Sequence, residues 1–168
     1  MDFPTFLDVL DAKRVLADYL KITPIVSYPA LNKLADAHIY VKREDCQPIS
    51  SFKIRGGINL IAHLEPRQIQ RGFVTASTGN HGQSIAYASQ LFSTSCVIVV
   101  PVGANPLKVE AIQNLGAEVI FSGTAIEASQ EHALQIARER NMNHVHPANE
   151  PLLIAGVATE TLEILEAI

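Results

Sequence analysis

The chain has few cysteines, no cluster of basic residues and no long apolar stretch, and each absence excludes a class of protein. Cys46 and Cys96 lie far apart and outside any Cys-x-x-Cys pattern. A disulfide framework is therefore not expected, and we predict a cytoplasmic location. The net charge is −4 without a Lys/Arg run, so no nucleic-acid partner is predicted. No apolar run approaches the roughly 18 residues of a membrane helix, so no membrane partner is predicted either.

What remains is a composition that can build a hydrophobic core. The chain has 168 residues, of which 48% are apolar and 18% charged. From about residue 50 onward the sequence pattern changes, and a helical stretch is followed by short apolar runs that alternate with helical patterns. The runs cover residues 73–76, 96–100, 118–121 and 144–146, and the helical patterns cover residues 82–92, 106–115 and 125–141. This alternation predicts an α/β fold, an open parallel sheet with helices on both faces.

The two ends of the chain do not follow this alternation. A helix is predicted after a cap at Asp2 or Thr5, followed by extended stretches at residues 25–28 and 38–43. Further helices are predicted over residues 51–64 and 151–168. We therefore predict three segments, residues 1–50, 51–148 and 149–168, and the middle segment is the α/β unit.

One loop combines glycines with hydroxyl, amide and imidazole side chains. It follows the apolar run at residues 73–76 and reads Ser77-Thr78-Gly79-Asn80-His81-Gly82-Gln83. Ligands of open parallel sheets bind beyond the carboxyl ends of the strands, and backbone amides at a helix start attract anions. The loop is thus a candidate carboxylate or phosphate site, although the same residue types are also ordinary caps and turns.

Lys53 is the second candidate for chemistry. It falls in the first turn of the helix predicted over residues 51–64, where Ser50 and Ser51 can cap. The helix field disfavours a cation there, and a neutral amine is the form that condenses with carbonyl compounds. The alternative is a solvated surface lysine. Cys46, close in sequence, is expected to be a small buried residue and not a nucleophile.

The two motifs together resemble the pyridoxal-phosphate-dependent threonine/serine dehydratase (ammonia-lyase) and serine racemase family, of the tryptophan-synthase-β fold type. The resemblance runs along essentially the whole chain. Its residues are Val41-Lys42-Arg43-Glu44-Asp45, Ser51-Phe52-Lys53-Ile54-Arg55-Gly56, residues 77–83, Val99-Val100-Pro101, residues 108–112 and 116–119, and Ile154-Ala155-Gly156.

The resemblance implies a role for each site residue. Lys53 matches the Schiff-base lysine, Phe52 a residue near the pyridoxal phosphate ring, and Asn80 a hydrogen-bond partner of its phenolic oxygen. The substrate carboxylate is expected at Ser77, Thr78, Gly79 and His81. The implied reaction removes water and then ammonia from L-threonine or L-serine and gives a 2-oxo acid, with Lys53 as the base at Cα.

Three other interpretations remain open. Racemases of this family place a serine where this chain has Thr78, whereas dehydratases tend to have alanine there, and the extra bulk of threonine favours a dehydratase. A non-catalytic module that binds an amino acid or anion is the alternative from another class, and a subunit that completes a site with another chain is a third.

The resemblance also implies that part of the fold is missing. Family members continue into a glycine-rich loop that binds the cofactor phosphate, and no glycine follows Gly156 here. Residues 1–50 and 149–168 are therefore expected to belong to an incomplete large domain. Weak cofactor binding, low activity alone and exposed apolar surface follow, and homo-oligomerisation is one way to cover that surface. His144 and His146 lack further ligands, so no metal site is predicted.

Overall fold

The structure is a computed structural model that describes residues 3–168. Its N-terminal third consists of short elements. They are α1 (Phe6–Leu16), β1 (Ile25–Val26), α2 (Pro29–Ala35), β2 (Val41–Lys42), a 3-10 turn at Glu44–Cys46, α3 (Lys53–Ala62) and α4 (Pro66–Ile69). Strands β1 and β2 pair antiparallel. Thr5 caps α1 through reciprocal hydrogen bonds with Asp8. Asp2, the other candidate cap, lies outside the described residues.

A four-stranded parallel sheet follows and confirms the predicted α/β architecture. Its elements are β3 (Phe73–Ala76), α5 (Asn80–Leu91), β4 (Cys96–Val100), α6 (Pro106–Asn114), β5 (Glu118–Phe121), α7 (Ile126–Glu139), β6 (Asn143–His144) and α8 (Pro151–Ala167). The strand order is β5-β4-β3-β6, and every pairing in this sheet is parallel. Strand β6 therefore returns to the side of β3 opposite β4.

Alternate residues of the central strands pack into two separate cores. Phe73, Ile98 and Val100 face the layer that contains α3 and α5. Val74 and Val99 face α7 on the other side. All nine residues of β3 and β4 are buried, so both faces of these strands are covered, as their continuous apolar sequence predicts.

Helix α8 packs chiefly against α3 and α1. The helices approach so closely that a Cβ on Gly156 would lie 2.6 Å from the carbonyl oxygen of Arg55. Only glycine fits at such a distance, because a Cβ there would overlap backbone atoms of α3. The boundaries predicted at residues 50 and 148 stay a prediction. No helix within residues 3–168 has the length and apolarity to cross a membrane.

A buried ion cluster, Lys42, Glu44, Arg55 and Glu163, joins the N-terminal segment to α3 and α8. The Arg55 guanidinium lies 2.7 Å from a carboxylate oxygen of Glu44 and 2.7 Å from one of Glu163. Lys42 pairs with Glu163 as well. The cluster holds two cations and two anions, so its buried charges balance. The sequence analysis did not anticipate this role of Arg55.

Apolar side chains stay exposed in the two terminal segments, as predicted. The most exposed are Leu34 at 84%, Phe3 at 79%, Leu7 at 74% and Leu165 at 72%. Cys46 is also exposed, so the prediction that it is buried is wrong. It lies in a surface 3-10 turn in which Glu44, two residues earlier, occupies the interior position. Cys96 is buried in β4, and this burial raises the pKa of its thiol to about 12.

Candidate active site

The carboxyl ends of β3 and β6 form the point at which the connections of the sheet change direction. The chain runs from β3 outward through β4 to β5, and it then returns to β6 on the opposite side of β3. Loops leaving two such strands diverge and open a crevice between them, where ligands of open α/β sheets bind. Residues 77–79 leave β3 at this point, and residues 145–147 leave β6.

A cavity of about 340 Å³ lies at this crevice. This volume falls at the lower end of small-molecule sites. The walls come from α3, α5, the loop after β6 and α8, with the residues Lys53, Gly56, His81, Pro147, Ala148, Leu153, Ile154, Val157 and Ala158. Lys53 and His81, predicted from separate motifs, therefore face one cavity.

Lys53 is held at the first position of α3 by its own backbone. Its amide donates to Ser51 Oγ at 3.3 Å, and its carbonyl accepts a hydrogen bond from Ser84 of α5. The predicted serine cap is present in a weaker form, because Phe52 occupies the N-cap position. Lys53 Nζ lies 5.4 Å from the centre of the Phe52 ring. The amine is thus tethered at its base, with its tip beside an aromatic face.

The loop at residues 77–81 presents unpaired backbone amides at the start of α5. Ser77 is buried, and its Oγ accepts hydrogen bonds from the amides of Gly79 and Gly82. Over the described part of the chain, the amides of Thr78, Asn80 and His81 have no hydrogen-bond partner. Amides at a helix N-terminus that lack a partner are suited to an anion.

The imidazole of His81 is buried and neutral. Its Nε2 lies 3.0 Å from Thr75 Oγ1, in the middle of β3. Burial, together with the positive charge of Lys53 and the nearby His146 and His144, lowers the pKa of His81 to about 4. The Nε2 edge of the ring therefore faces the protein interior below the loop, and the backbone amide of His81 is available to a carboxylate.

We expect His81 to make the protein less stable as the pH falls below 6.5. The folded state takes up the His81 proton only near pH 4, whereas the unfolded state takes it up near 6.5. Unfolding therefore becomes easier across this window, by about 3 kcal/mol at about 1.4 kcal/mol per unit. Urea unfolding at a series of pH values measures the loss, and His81→Asn removes it. An unchanged pH dependence in His81→Asn would contradict the assignment.

The structure separates the predicted site residues into three positions. Lys53 and His81 line the cavity, with Phe52 half-buried beside Lys53. Ser77 lies beneath the loop, while Thr78 and Asn80 are exposed on it and Gly79 is partly buried. Sequence reasoning missed the apolar wall from α8 and the contact of Thr75 with His81. A polar residue inside an otherwise apolar strand was the available signal for Thr75.

The cavity suits a small planar carbonyl compound with an anionic neighbour. It offers a primary amine, an aromatic ring and apolar side chains, and unpaired amides lie on the loop that leads to His81. An amine next to an apolar wall can condense with an aldehyde, while the amides can hold a carboxylate. The side chains present therefore fit the cofactor that the sequence resemblance implies.

Comparisons with known proteins agree with this site. The family model described as "Pyridoxal-phosphate dependent enzyme" matches residues 16–168. The L-threonine ammonia-lyase of Thermotoga maritima is 40% identical over 162 residues, which are 96% of this chain and 40% of the relative. The serine racemase of Dictyostelium discoideum is 34% identical over 164 residues, 98% of this chain and 51% of the relative.

Solved structures match as well. The maize serine racemase structure superimposes with a TM-score of 0.95 at 30% identity, covering 99% of this chain and 51% of that one. The chain spans about half the length of the relatives it matches. Because the family model covers most of the chain and the cavity carries the expected lysine, this chain belongs to the family of pyridoxal-phosphate dependent enzymes.

Proposed function

We propose that this chain supplies the lysine-bearing wall of a pyridoxal-phosphate-dependent threonine or serine dehydratase. The observation that carries the proposal is that Lys53 faces the cavity at the carboxyl ends of β3 and β6. The proposed reaction is the loss of water and ammonia from a hydroxy-amino acid. The relatives named as threonine ammonia-lyase or dehydratase support it.

Each group in or near the cavity has a proposed task. The Lys53 Nζ holds the cofactor and then accepts or returns a proton at the substrate Cα. The unpaired amides of the loop at residues 77–81 orient the substrate carboxylate. Phe52 would pack near the ring of the cofactor, and Asn80 would hydrogen-bond its phenolic oxygen. The apolar side chains of α8 keep water from this side of the cavity.

The cofactor would supply the electron sink that stabilises negative charge at the substrate Cα. The residues described here hold its aldehyde side. Phosphate anchoring by backbone amides contributes about 1 kcal/mol or more per bond. The sequence resemblance implies that family members bind the cofactor phosphate with a glycine-rich loop that does not occur within these residues. We therefore propose weak cofactor binding and little lyase activity by this chain alone.

A serine racemase function is the second candidate. The serine racemases of Dictyostelium and maize match the chain over nearly its whole length. Thr78 carries a hydroxyl on the exposed loop, where a racemase of this family would have its second base. The γ-methyl group of Thr78 adds bulk at that position, which favours elimination over racemisation in our proposal.

Covalent trapping at Lys53 tests the proposal. The chain is incubated with pyridoxal phosphate and reduced with borohydride, and the modified lysines are mapped by mass spectrometry. We expect the adduct to concentrate at Lys53, because this amine lines the same cavity as His81, at the end of the anion-binding loop. Lys53→Ala is expected to lose most of the total adduct, whereas Lys33→Ala, which removes an exposed lysine of α2, is expected to keep it.

Three further results bear on the proposal. Equal labelling of Lys53 and the exposed lysines would overturn the proposal. Release of 2-oxo acid from threonine at a rate typical of a full-length enzyme would overturn the proposed weakness of the lone chain. Amino-acid binding that persists in Lys53→Ala and needs no cofactor would favour a non-catalytic module.

A further inference from the structure

The hydrogen bonds around Thr75 fix the position of a proton on His81. Thr75 Oγ1 lies 2.7 Å from the carbonyl oxygen of Val145 and 3.0 Å from His81 Nε2. A carbonyl oxygen can only accept, so the single hydroxyl proton of Thr75 goes to Val145. The oxygen of Thr75 must then accept from His81, which places the imidazole proton on Nε2.

The other ring nitrogen, Nδ1, is left as an acceptor at the accessible edge of the ring. Nδ1 has no hydrogen-bond partner among the described residues. It is not one of the fully enclosed polar atoms, so it remains accessible. His81 lines the same cavity as Lys53. Since Nε2 is directed at Thr75, which is fully buried, the opposite side of the ring is the side that meets the cavity.

We propose that Thr75 is a positioning residue that holds His81 as its Nε2–H tautomer, so that the lone pair of Nδ1 accepts a hydrogen bond from a protonated amine in the Lys53 cavity. A lone pair repels a carboxylate. The side chain of His81 thus binds an amine group, whereas the backbone amides of residues 78, 80 and 81 bind a carboxylate group. This use of the tautomer rests on the proposed function, but the tautomer itself does not.

The surroundings of His81 favour the neutral ring. Lys53 of α3 faces it, and His144 and His146, in and just after β6, are the other titratable groups that act on it. His146 Nδ1 accepts hydrogen bonds from the amides of Ala148 and Asn149. A cation at Lys53 and a buried imidazolium would repel each other, so an amine donor and a neutral acceptor form the stable pair.

The tautomer can be read directly by NMR without cofactor. In the chain with 15N-labelled histidine, a long-range proton–nitrogen correlation distinguishes Nε2–H from Nδ1–H, and the signal missing from His81→Gln identifies His81. We expect the Nε2–H pattern in the unmodified chain at neutral pH. Thr75→Val, which removes the hydroxyl and keeps the shape, should shift this signal away from the pure Nε2–H pattern, and Thr75→Ser should restore it.

A separate experiment tests whether Nδ1 of His81 is oriented towards Lys53. Lys53→Met should raise the pH midpoint of His81 protonation, while Lys33→Met on the exposed helix α2 should leave it unchanged. An Nδ1–H signal in the unmodified chain overturns the proposal even if Thr75→Val does not fold. An unchanged spectrum in Thr75→Val, or an unchanged midpoint in Lys53→Met, also overturns it. Because none of these measurements uses cofactor, a failure to trap pyridoxal phosphate at Lys53 stays a separate result.

Discussion

Arg55→Met is expected to destabilise the chain by about 3–5 kcal/mol, the usual loss when one partner of a buried ion pair is removed. Methionine fills a similar space but leaves Glu44 and Glu163 with Lys42 as the one remaining cation of the cluster. Both carboxylates are buried, so the uncompensated charge has little water to stabilise it. Urea unfolding at neutral pH measures the loss.

The pH dependence of this variant separates charge from packing. Burial is the largest single influence on Glu44 and Glu163 and would raise both pKa values. The hydrogen bonds and charge of Arg55, together with hydrogen bonds from neighbouring polar groups, outweigh burial and keep both pKa values below the ordinary 4.5. In the unmodified chain this contribution is complete above 4.5 and is lost as the pH falls through the lower folded values. In Arg55→Met the pKa values of Glu44 and Glu163 rise. The difference in unfolding free energy between this variant and the unmodified chain should therefore become smaller as the pH falls.

Arg140→Met serves as the matched control. Arg140 pairs with Glu118 at the surface, where both side chains are about half exposed. Exposed pairs contribute less than about 1 kcal/mol, so this variant should unfold close to the unmodified chain. Equal losses in the two arginine variants would show that the cluster contributes no more than a surface pair.

Gly156→Ala is expected to cost about 3 kcal/mol, the upper end of the range for overpacking, despite the better helix propensity of alanine. The added Cβ would meet the carbonyl oxygen of Arg55 at 2.6 Å and the Cα of Gly56 at 2.9 Å. Both are backbone atoms of α3 and cannot turn aside. Thermal or urea unfolding should report the loss.

Gly79→Ala is the matched control for this steric argument. The nearest atom to a Cβ at that position is the flexible Nζ of Lys108 at 3.6 Å. We expect a change within about 1 kcal/mol, as for a surface substitution. If Gly156→Ala is as stable as Gly79→Ala, α3 and α8 can separate freely, and the close approach of these helices contributes little to the fold.

The sequence predicted those parts of the fold whose pattern is local. The apolar run at Val97–Val100 predicts a strand buried on both faces, and alternation with helices predicts a parallel sheet. The short helices α2 and α4 were missed because seven and four residues give too little periodicity. The place of β6 beside β3 depends on packing between distant segments, and no local pattern encodes it.

The site was predictable to the extent that its motifs are contiguous. Lys53 and the loop at residues 77–81 each form a recognisable motif, and the resemblance joined them. The cavity wall from α8 and the link from Thr75 to His81 arise from contacts between residues that are distant in sequence. Arg55 within an apolar segment was the local signal for the ion cluster, because a charge in such a segment needs a buried partner.

The ion cluster also affects the order in which the fold can be completed during translation. Glu163 is 108 residues downstream of Arg55, so it leaves the ribosome after every strand of the sheet has been synthesised. A nascent chain that has reached β6 can pair Arg55 with Glu44 but leaves Lys42 without its carboxylate partner. Charge balance in the interior and the α8 wall of the cavity therefore arrive together, so a ribosome-bound chain lacks a finished cavity until α8 has emerged.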